Sequence, residues 1–329
     1  MHMADMLVSP AVGTTMYAAS LGAAAIACHK IKQANDDRKV PLMGVVGAFI
    51  FAAQMINFSI PGTGSSGHLC GGLLAAALLG PYEGFLVITA VLAIQCLLFA
   101  DGGLLALGCN IWNMGFYSCL FSWFCIFNPL VQKGITKRSL MIASVVSSII
   151  SLQLGAGSVV VETMLSGVTD LPPGLFFATM QPIHLAIGIV EGLVTAAILC
   201  FIFETRPEIL SSNENKRNLK PVILSFAITA LITSGGFSLL ASTAPDGLEW
   251  SLAKIGLEDS APEAATTLSS LQNTTAIFPD YHIAGSESIL GGSFAGMFGT
   301  LFIMAVICLA GLFFRFWRKK AKISHEPSV

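Results

Sequence analysis

Apolar residues in this chain gather in long unbroken runs, and the predicted elements follow from the run lengths. A helix needs about 20 consecutive apolar residues to cross a hydrocarbon core of about 30 Å. Several runs reach that length, and the pattern predicts helices near 10–28, 40–58, 68–79, 81–99, 104–127, 139–161, 174–203, 221–242 and 289–316. The third is too short to span alone and reads as a half-helix buried against its neighbours. A membrane β-barrel is disfavoured, because segments such as Val87–Phe99 lack the period-two alternation of barrel strands.

Composition strengthens this picture. The 329 residues are 54% hydrophobic and 11% charged, with a mean hydropathy of +0.76. Soluble domains carry roughly 25% charged residues because their surfaces must be solvated, and this chain lacks the charge for that. The start Met1-His2-Met3-Ala4-Asp5 has no Lys or Arg before Lys30, unlike the basic opening of a secretory signal, so the N-terminus is expected to be mature and retained. The eight cysteines are scattered and form no CxxC pair; they read as small core residues.

Charge then sets orientation, since Lys and Arg favour cytoplasmic loops. Lys30, Lys32, Arg38 and Lys39 follow the first predicted helix, and Lys133, Lys137 and Arg138 follow the fifth. Arg206, Lys216, Arg217 and Lys220 follow the seventh, and Arg315, Arg318, Lys319, Lys320 and Lys322 close the ninth. Only Lys254 falls on the other side. The expected fold is therefore an all-α integral membrane protein with its N-terminus outside and its C-terminus cytoplasmic. It divides into a seven-helix body over 1–205, a polar cytoplasmic linker over 206–220 and a two-helix part over 221–329. The last part carries an extracytoplasmic loop, 243–287, whose acidic residues, Asp246 among them, read as solvating. No internal repeat supports an inverted-repeat transporter.

Several function classes fall away. There is no GxxxxGK[ST] loop to cradle a nucleotide and no HExxH motif for an intramembrane metallohydrolase. No nucleic-acid partner is expected. Within the helices His184 and Glu191 are nearly the only ionisable groups, whereas a proton-driven carrier needs a buried relay. Any transport energy is expected to come from partner subunits.

The first two residues are chemically unusual. Methionine is normally removed only ahead of small residues, and His2 is large, so Met1 is expected to stay. If the His2 amide loses its proton to a metal, the Met1 amine, the His2 amide and the His2 imidazole form fused five- and six-membered chelate rings in one plane. Planar nitrogen ligation suits Ni(II) or Cu(II). His68, in the segment Ser59-Ile60-Pro61-Gly62-Thr63-Gly64-Ser65-Ser66-Gly67-His68, is a candidate fourth donor, because glycines let backbone and ligand approach closely. Spacing alone leaves the alternative open, since a lone histidine is commonly structural. His184, beside Pro182, reads as a hydrogen-bonded core residue in preference to a ligand.

Four blocks in order carry a resemblance: Met1-His2-Met3-Ala4-Asp5 with Ser9-Pro10, IPGTGSSGHLCGGLLAAALLGPYEG from Ile60, DGGLLALGCNIWNMG from Asp101 and HLAIGIVEGLVTA from His184. They resemble the NikM/CbiM family, the nickel/cobalt substrate-binding subunits of energy-coupling factor (ECF) transporters of the ABC type. Further along, ASTAPDGLEWSLAK from Ala241 and FPDYHIAG from Phe278 are similar to the small NikN-type subunit, so the whole looks like a NikMN-type fusion.

This resemblance implies a multi-pass protein of the cell inner (plasma) membrane that binds Ni(II) as transported substrate, with Co(II) for cobalamin synthesis as the alternative. It implies Met1, His2 and His68 as metal ligands. It also implies a transmembrane coupling subunit and two ATPase subunits as partners. Asp101 and Asn113, in the third block, are candidates for orienting the metal-bound histidines, with helix capping or core packing as the alternative. The small-residue stretches Ala18–Ala25 and Gly71–Ala77 fit either close internal packing or docking of the coupling protein.

Overall fold

The computed structural model describes residues 1–34, 36, 39–210, 219–256, 263–282 and 289–323. Residues 211–218 of the expected linker lie outside the described residues, as do Arg38, Lys216 and Arg217 among the basic positions and Glu258, Asp259 and Glu287 among the acidic ones. Nearly everything described is helical. A single 3-10 turn, Asp5–Leu7, precedes α1 (Pro10–Ala34) and α2 (Val40–Gln54). A short hairpin, β1 (Phe58–Ile60) and β2 (Ser65–Gly67), leads into α3 (Gly72–Leu79), α4 (Pro81–Phe99) and α5 (Leu107–Val131). Then come α6 (Lys137–Ser166), α7 (Pro173–Thr205), α8 (Lys220–Gly235), α9 (Gly247–Lys254), α10 (Glu263–Thr275) and α11 (Ile289–Ile323). By length and composition α1, α4, α5, α6, α7 and residues 291–313 of α11 can each cross a membrane, while α2 and α8 are shorter apolar helices.

Local chemistry explains the starts. Pro10, Pro81 and Pro173 open their helices where a missing N–H costs nothing. At α6, Thr136 and Ser139 cap each other reciprocally.

Three elements depart from the apolar pattern. The run near 40–58 stops being helical at Gln54, and the hairpin follows, with Ser59 opposite Ser66. The half-helix expected near 68–79 begins only at Gly72, because Gly71 takes a left-handed conformation (φ 77°) ahead of it. His68 therefore lies in a loop. Within α5, residues 111–121 and 123–127 widen to π-helical turns, a geometry that recurs at functional sites. The loop expected over 243–287 also holds two helices, α9 and α10.

Glycines set the tightest packing. On α7, a Cβ at Gly188 would sit 2.9 Å from Ile149 Cα and one at Gly192 2.6 Å from Val145 Cα, so α6 and α7 meet backbone to backbone. The Gly72–Ala77 stretch is almost wholly internal, whereas Ala18, Leu21, Gly22 and Ala25 on α1 stay exposed. The two C-terminal helices, α8 and α11, pack on α2 and on each other. A Cβ at Gly299 of α11 would overlap the Phe51 ring of α2. Gly299→Ala should therefore destabilise the chain by about 1–3 kcal/mol, read as a lower thermal midpoint in detergent; an unchanged midpoint would contradict this packing.

Candidate metal centre

The first residues of the chain run into the protein interior. Met1 and Met3 are buried, and Met3 is gripped through its main chain: its N–H donates to Asn110 Oδ1 (2.7 Å), while its carbonyl accepts from Asn110 Nδ2 (3.2 Å) and Gly103 N (2.8 Å). Asp5 Oδ1 accepts from Ala106 N (3.1 Å). The Asp101-Gly102-Gly103 turn makes room for this thread. A Cβ at Gly103 would overlap the Asp5 carboxylate, and one at Gly102 would lie 3.3 Å from His2 Cβ. A Cβ at Gly155 of α6 would meet Met1 Cε at 2.8 Å.

The loop carrying His68 is clamped from the opposite side. Glu191 of α7, buried at 1% exposure, accepts from Cys70 N (2.7 Å) and Gly71 N (3.1 Å), and Gln54 Nε2 donates to Cys70 O (2.8 Å). A Cβ at Gly67 would sit 2.5 Å from Ile187 Cδ1, so the strand end lies flat on α7.

These two segments bring the sequence-predicted ligands together. Met1 N lies 3.3 Å from His68 Nε2, and the His2 and His68 rings stack with centroids 5.1 Å apart. His68 Nδ1 is 3.1 Å from Leu69 O; as the donor there it leaves the Nε2 lone pair facing Met1. His2 Nδ1 is 3.1 Å from Asp101 Oδ1, and its Nε2 is buried without a partner. Asp101 thus touches a predicted ligand directly. Asn113 does not: its amide donates to Glu162 Oε2 (2.7 Å) and to Met3 Sδ (3.7 Å), one residue beyond the ligand pair.

The C-terminal part completes the site, which the solvating role expected for Asp246 did not foresee. Asp246 Oδ2 lies 2.7 Å from the Met1 ammonium and 3.9 Å from His68 Nε2. Its Oδ1 meanwhile accepts from Leu248 N (2.8 Å) and Glu249 N (3.0 Å), and Glu249 closes the capping box that starts α9. The preceding strand of chain is paired with β2, Ser66 N donating to Pro245 O (2.8 Å). Tyr281 donates to Asp101 Oδ2 (2.5 Å), and Gln272 of α10 donates to Gly102 O (2.6 Å). The D-x-x-E spacing in PDGLE was a legible cap signal for Asp246; its contact with Met1 had none, since 245 positions separate them.

Electrostatics leave the imidazoles neutral. Burial lowers the pKa of His2 against the opposing pull of Asp101, and burial together with the Met1 ammonium lowers that of His68. Burial alone would raise Asp246, but the Met1 ammonium holds its carboxyl well below the usual carboxylate range. At neutral pH the site is one ammonium–carboxylate pair beside two lone-pair-bearing rings. Among the described residues, no three His, Cys, Asp or Glu side chains cluster to hold a metal. An ion bound here would need main-chain nitrogen.

Comparison with known proteins identifies the family of the chain. The family described as "Cobalt uptake substrate-specific transmembrane region", CbiM, matches residues 2–209, and the PDGLE domain matches residues 220–316. A relative from Archaeoglobus fulgidus, provisionally named a fused nickel transport protein NikMN, is 30% identical over 308 residues, covering 93% of this chain and 96% of its own. The cobalt transport protein CbiM of Sorangium cellulosum is 30% identical over 217 residues, covering 64% of this chain and 94% of its own. A crystal structure of a transition metal transporter superposes with a TM-score of 0.56 at 27% identity, covering 66% of this chain and all of that one. The chain is a multi-pass membrane protein that belongs to the CbiM family, continued at its C-terminal end by a PDGLE domain.

Proposed function

We propose that this chain captures Ni(II) between Met1, His2 and His68 and passes it inward as the substrate-specific component of an ATP-driven ECF-type transporter. The observation that carries the proposal is the buried meeting of Met1 N with His68 Nε2 at 3.3 Å, with His2 stacked alongside. In the loaded site the Met1 amine, the His2 amide and His2 Nδ1 chelate the ion in one plane, and His68 Nε2 closes the square. Reaching that state requires the His2 ring to turn about Cβ–Cγ, so that Nδ1 faces Met1, and the amine to leave Asp246. Planar nitrogen ligation favours Ni(II). Co(II) is the second reading, favoured by the cobalt description of the family.

Energy on this reading comes from two ATPase subunits through a transmembrane coupling subunit, which reorients the chain to release the ion. The exposed small residues of α1 offer that subunit a close approach. The Lys and Arg distribution supports an N-terminus outside and a C-terminus in the cytoplasm of the cell inner membrane. It also supports a division into a metal-binding body (1–205), a linker (206–220) and the PDGLE part (221–329). A metallohydrolase would need an open metal position beside a general base, and a four-nitrogen square leaves no easy place for water.

Three outcomes test this. Nickel titration of the purified full chain should show tight binding that His2→Ala or His68→Ala weakens by more than roughly 100-fold; intact binding in either variant would contradict the ligand set. Asp101→Asn, which removes the charge beside His2, should cost about 10–100-fold in nickel affinity, and an unchanged affinity would exclude that role. The metal-free chain should lose stability as pH falls from 7.5 to 5.5. Both histidines titrate below 6.5 when folded, so the unfolded chain binds more protons in that window and folding weakens on acidification. His68→Ala should flatten the fall in thermal midpoint; an equally steep fall in the variant would exclude His68 as its source.

A further inference from the structure

A cavity of about 380 Å3 lies between the first long helix and the last. Its walls are apolar side chains of four helices: Ile31 of α1, Met43 of α2, Leu86 and Ala90 of α4, and Val306 and Ala310 of α11. Glu83, at the start of α4, borders it, whereas Asp101 and the metal centre lie beyond the other end of that helix. The 19 residues of α4 put roughly 25 Å between the two places.

Helix packing produces the cavity. Beside it α2 and α11 meet closely: a Cβ at Gly311 would overlap Val40, and one at Gly44 would lie 2.6 Å from Cys308 Sγ. Helix α1 packs instead on α4 and α5, which leaves a wedge of space between α1 and α11. Cys28 and Ala310 at its edge are exposed, and both helices are long and apolar enough to cross a membrane, so the wedge opens sideways onto lipid. Protein interiors hold few voids larger than a water molecule, and apolar walls offer water few partners. An acyl chain satisfies both constraints.

Towards the last turn of α1 the lining becomes charged, with Lys32, Asp36, Lys39 and Glu83. Lys39 Nζ lies 3.2 Å from Glu83 Oε1, and Glu83 is buried, so these two charges are matched within the protein. Lys32 is exposed and Asp36 half-buried. Together they present one positive and one negative group at the mouth.

We propose that this cavity binds a phospholipid with a phosphoethanolamine headgroup, its acyl chain between α1 and α11, its phosphate at Lys32 and its ammonium at Asp36. The balance of signs favours a zwitterionic headgroup over an anionic one. Asp36 favours a primary ammonium, which donates hydrogen bonds, over a quaternary one, which does not. The lipid bridges α1 of the CbiM region and α11 of the PDGLE region, and binding to the folded chain alone stabilises it. The inference is independent of the metal ligands proposed above.

Native mass spectrometry of the purified, delipidated full chain tests this, with phosphatidylethanolamine, phosphatidylcholine and phosphatidylglycerol of the same acyl chains titrated in turn. The wild type should hold one phosphatidylethanolamine about tenfold more tightly than either of the others, the worth of one hydrogen bond to a charged group. Lys32→Glu should weaken that adduct by about tenfold on the same ground. Ala310→Phe, which fills the cavity from an exposed position, should remove it. The selectivity of the wild type decides alone if a variant does not fold. A wild type that retains no lipid, or that holds phosphatidylcholine or phosphatidylglycerol as tightly as phosphatidylethanolamine, would overturn the proposal. Undiminished binding by a folded Ala310→Phe variant would overturn it too, by placing the lipid elsewhere.

Discussion

An ammonium group taken out of water needs a carboxylate within reach, because an unpaired buried charge costs several kcal/mol. Met1 meets that requirement with Asp246, 245 residues further along the chain. The pairing dictates much of the remaining architecture. The N-terminal thread has to enter the bundle, so the Asp101-Gly102-Gly103 turn opens a passage and Asn110 grips Met3 on both sides. The PDGLE segment has to reach the same point, so it pairs with β2 and caps α9 with the same carboxylate that meets Met1. Removing either end would leave a buried charge without its partner.

The chemistry of the site follows from the same burial. With both imidazoles neutral and the amine paired, the site stores nitrogen lone pairs close to a single positive charge. On the proposed function, nickel takes the place of protons on Met1 and His2, and the amine leaves Asp246 in the same event. Ion capture and loosening of the C-terminal cover are then coupled through one carboxylate. Glu191 holds the His68 loop through two main-chain N–H groups and Asp101 holds His2 with support from Tyr281, so the proposed ligands are positioned by side chains from α7 and from the PDGLE part alike.

The helices were legible because bilayer thickness ties them to run length, and the positions of α4, α6 and α7 follow directly from it. The ends of the runs were not. Apolar content cannot tell a helix from the hairpin after Gln54, nor an α turn from the π turns of α5, since all bury the same side chains. Met1, His2 and His68 could be named from their donor chemistry and from family resemblance, and the fold brings them together. Asp246, Tyr281, Asn110 and Glu191 were not assigned to the site, because each acts across a long sequence separation that no local pattern encodes. His184 looked like a core histidine, and its Nδ1, 2.8 Å from Met180 O, behaves as one.

The central claim is that the Met1 amine itself binds the metal. Its most direct test is nickel binding by the purified chain with one glycine placed ahead of Met1, which moves the free amine by a residue and turns the Met1 nitrogen into an amide, while every side chain is kept. The account predicts loss of tight nickel binding with an otherwise folded protein. Unchanged nickel affinity in the extended chain would contradict it.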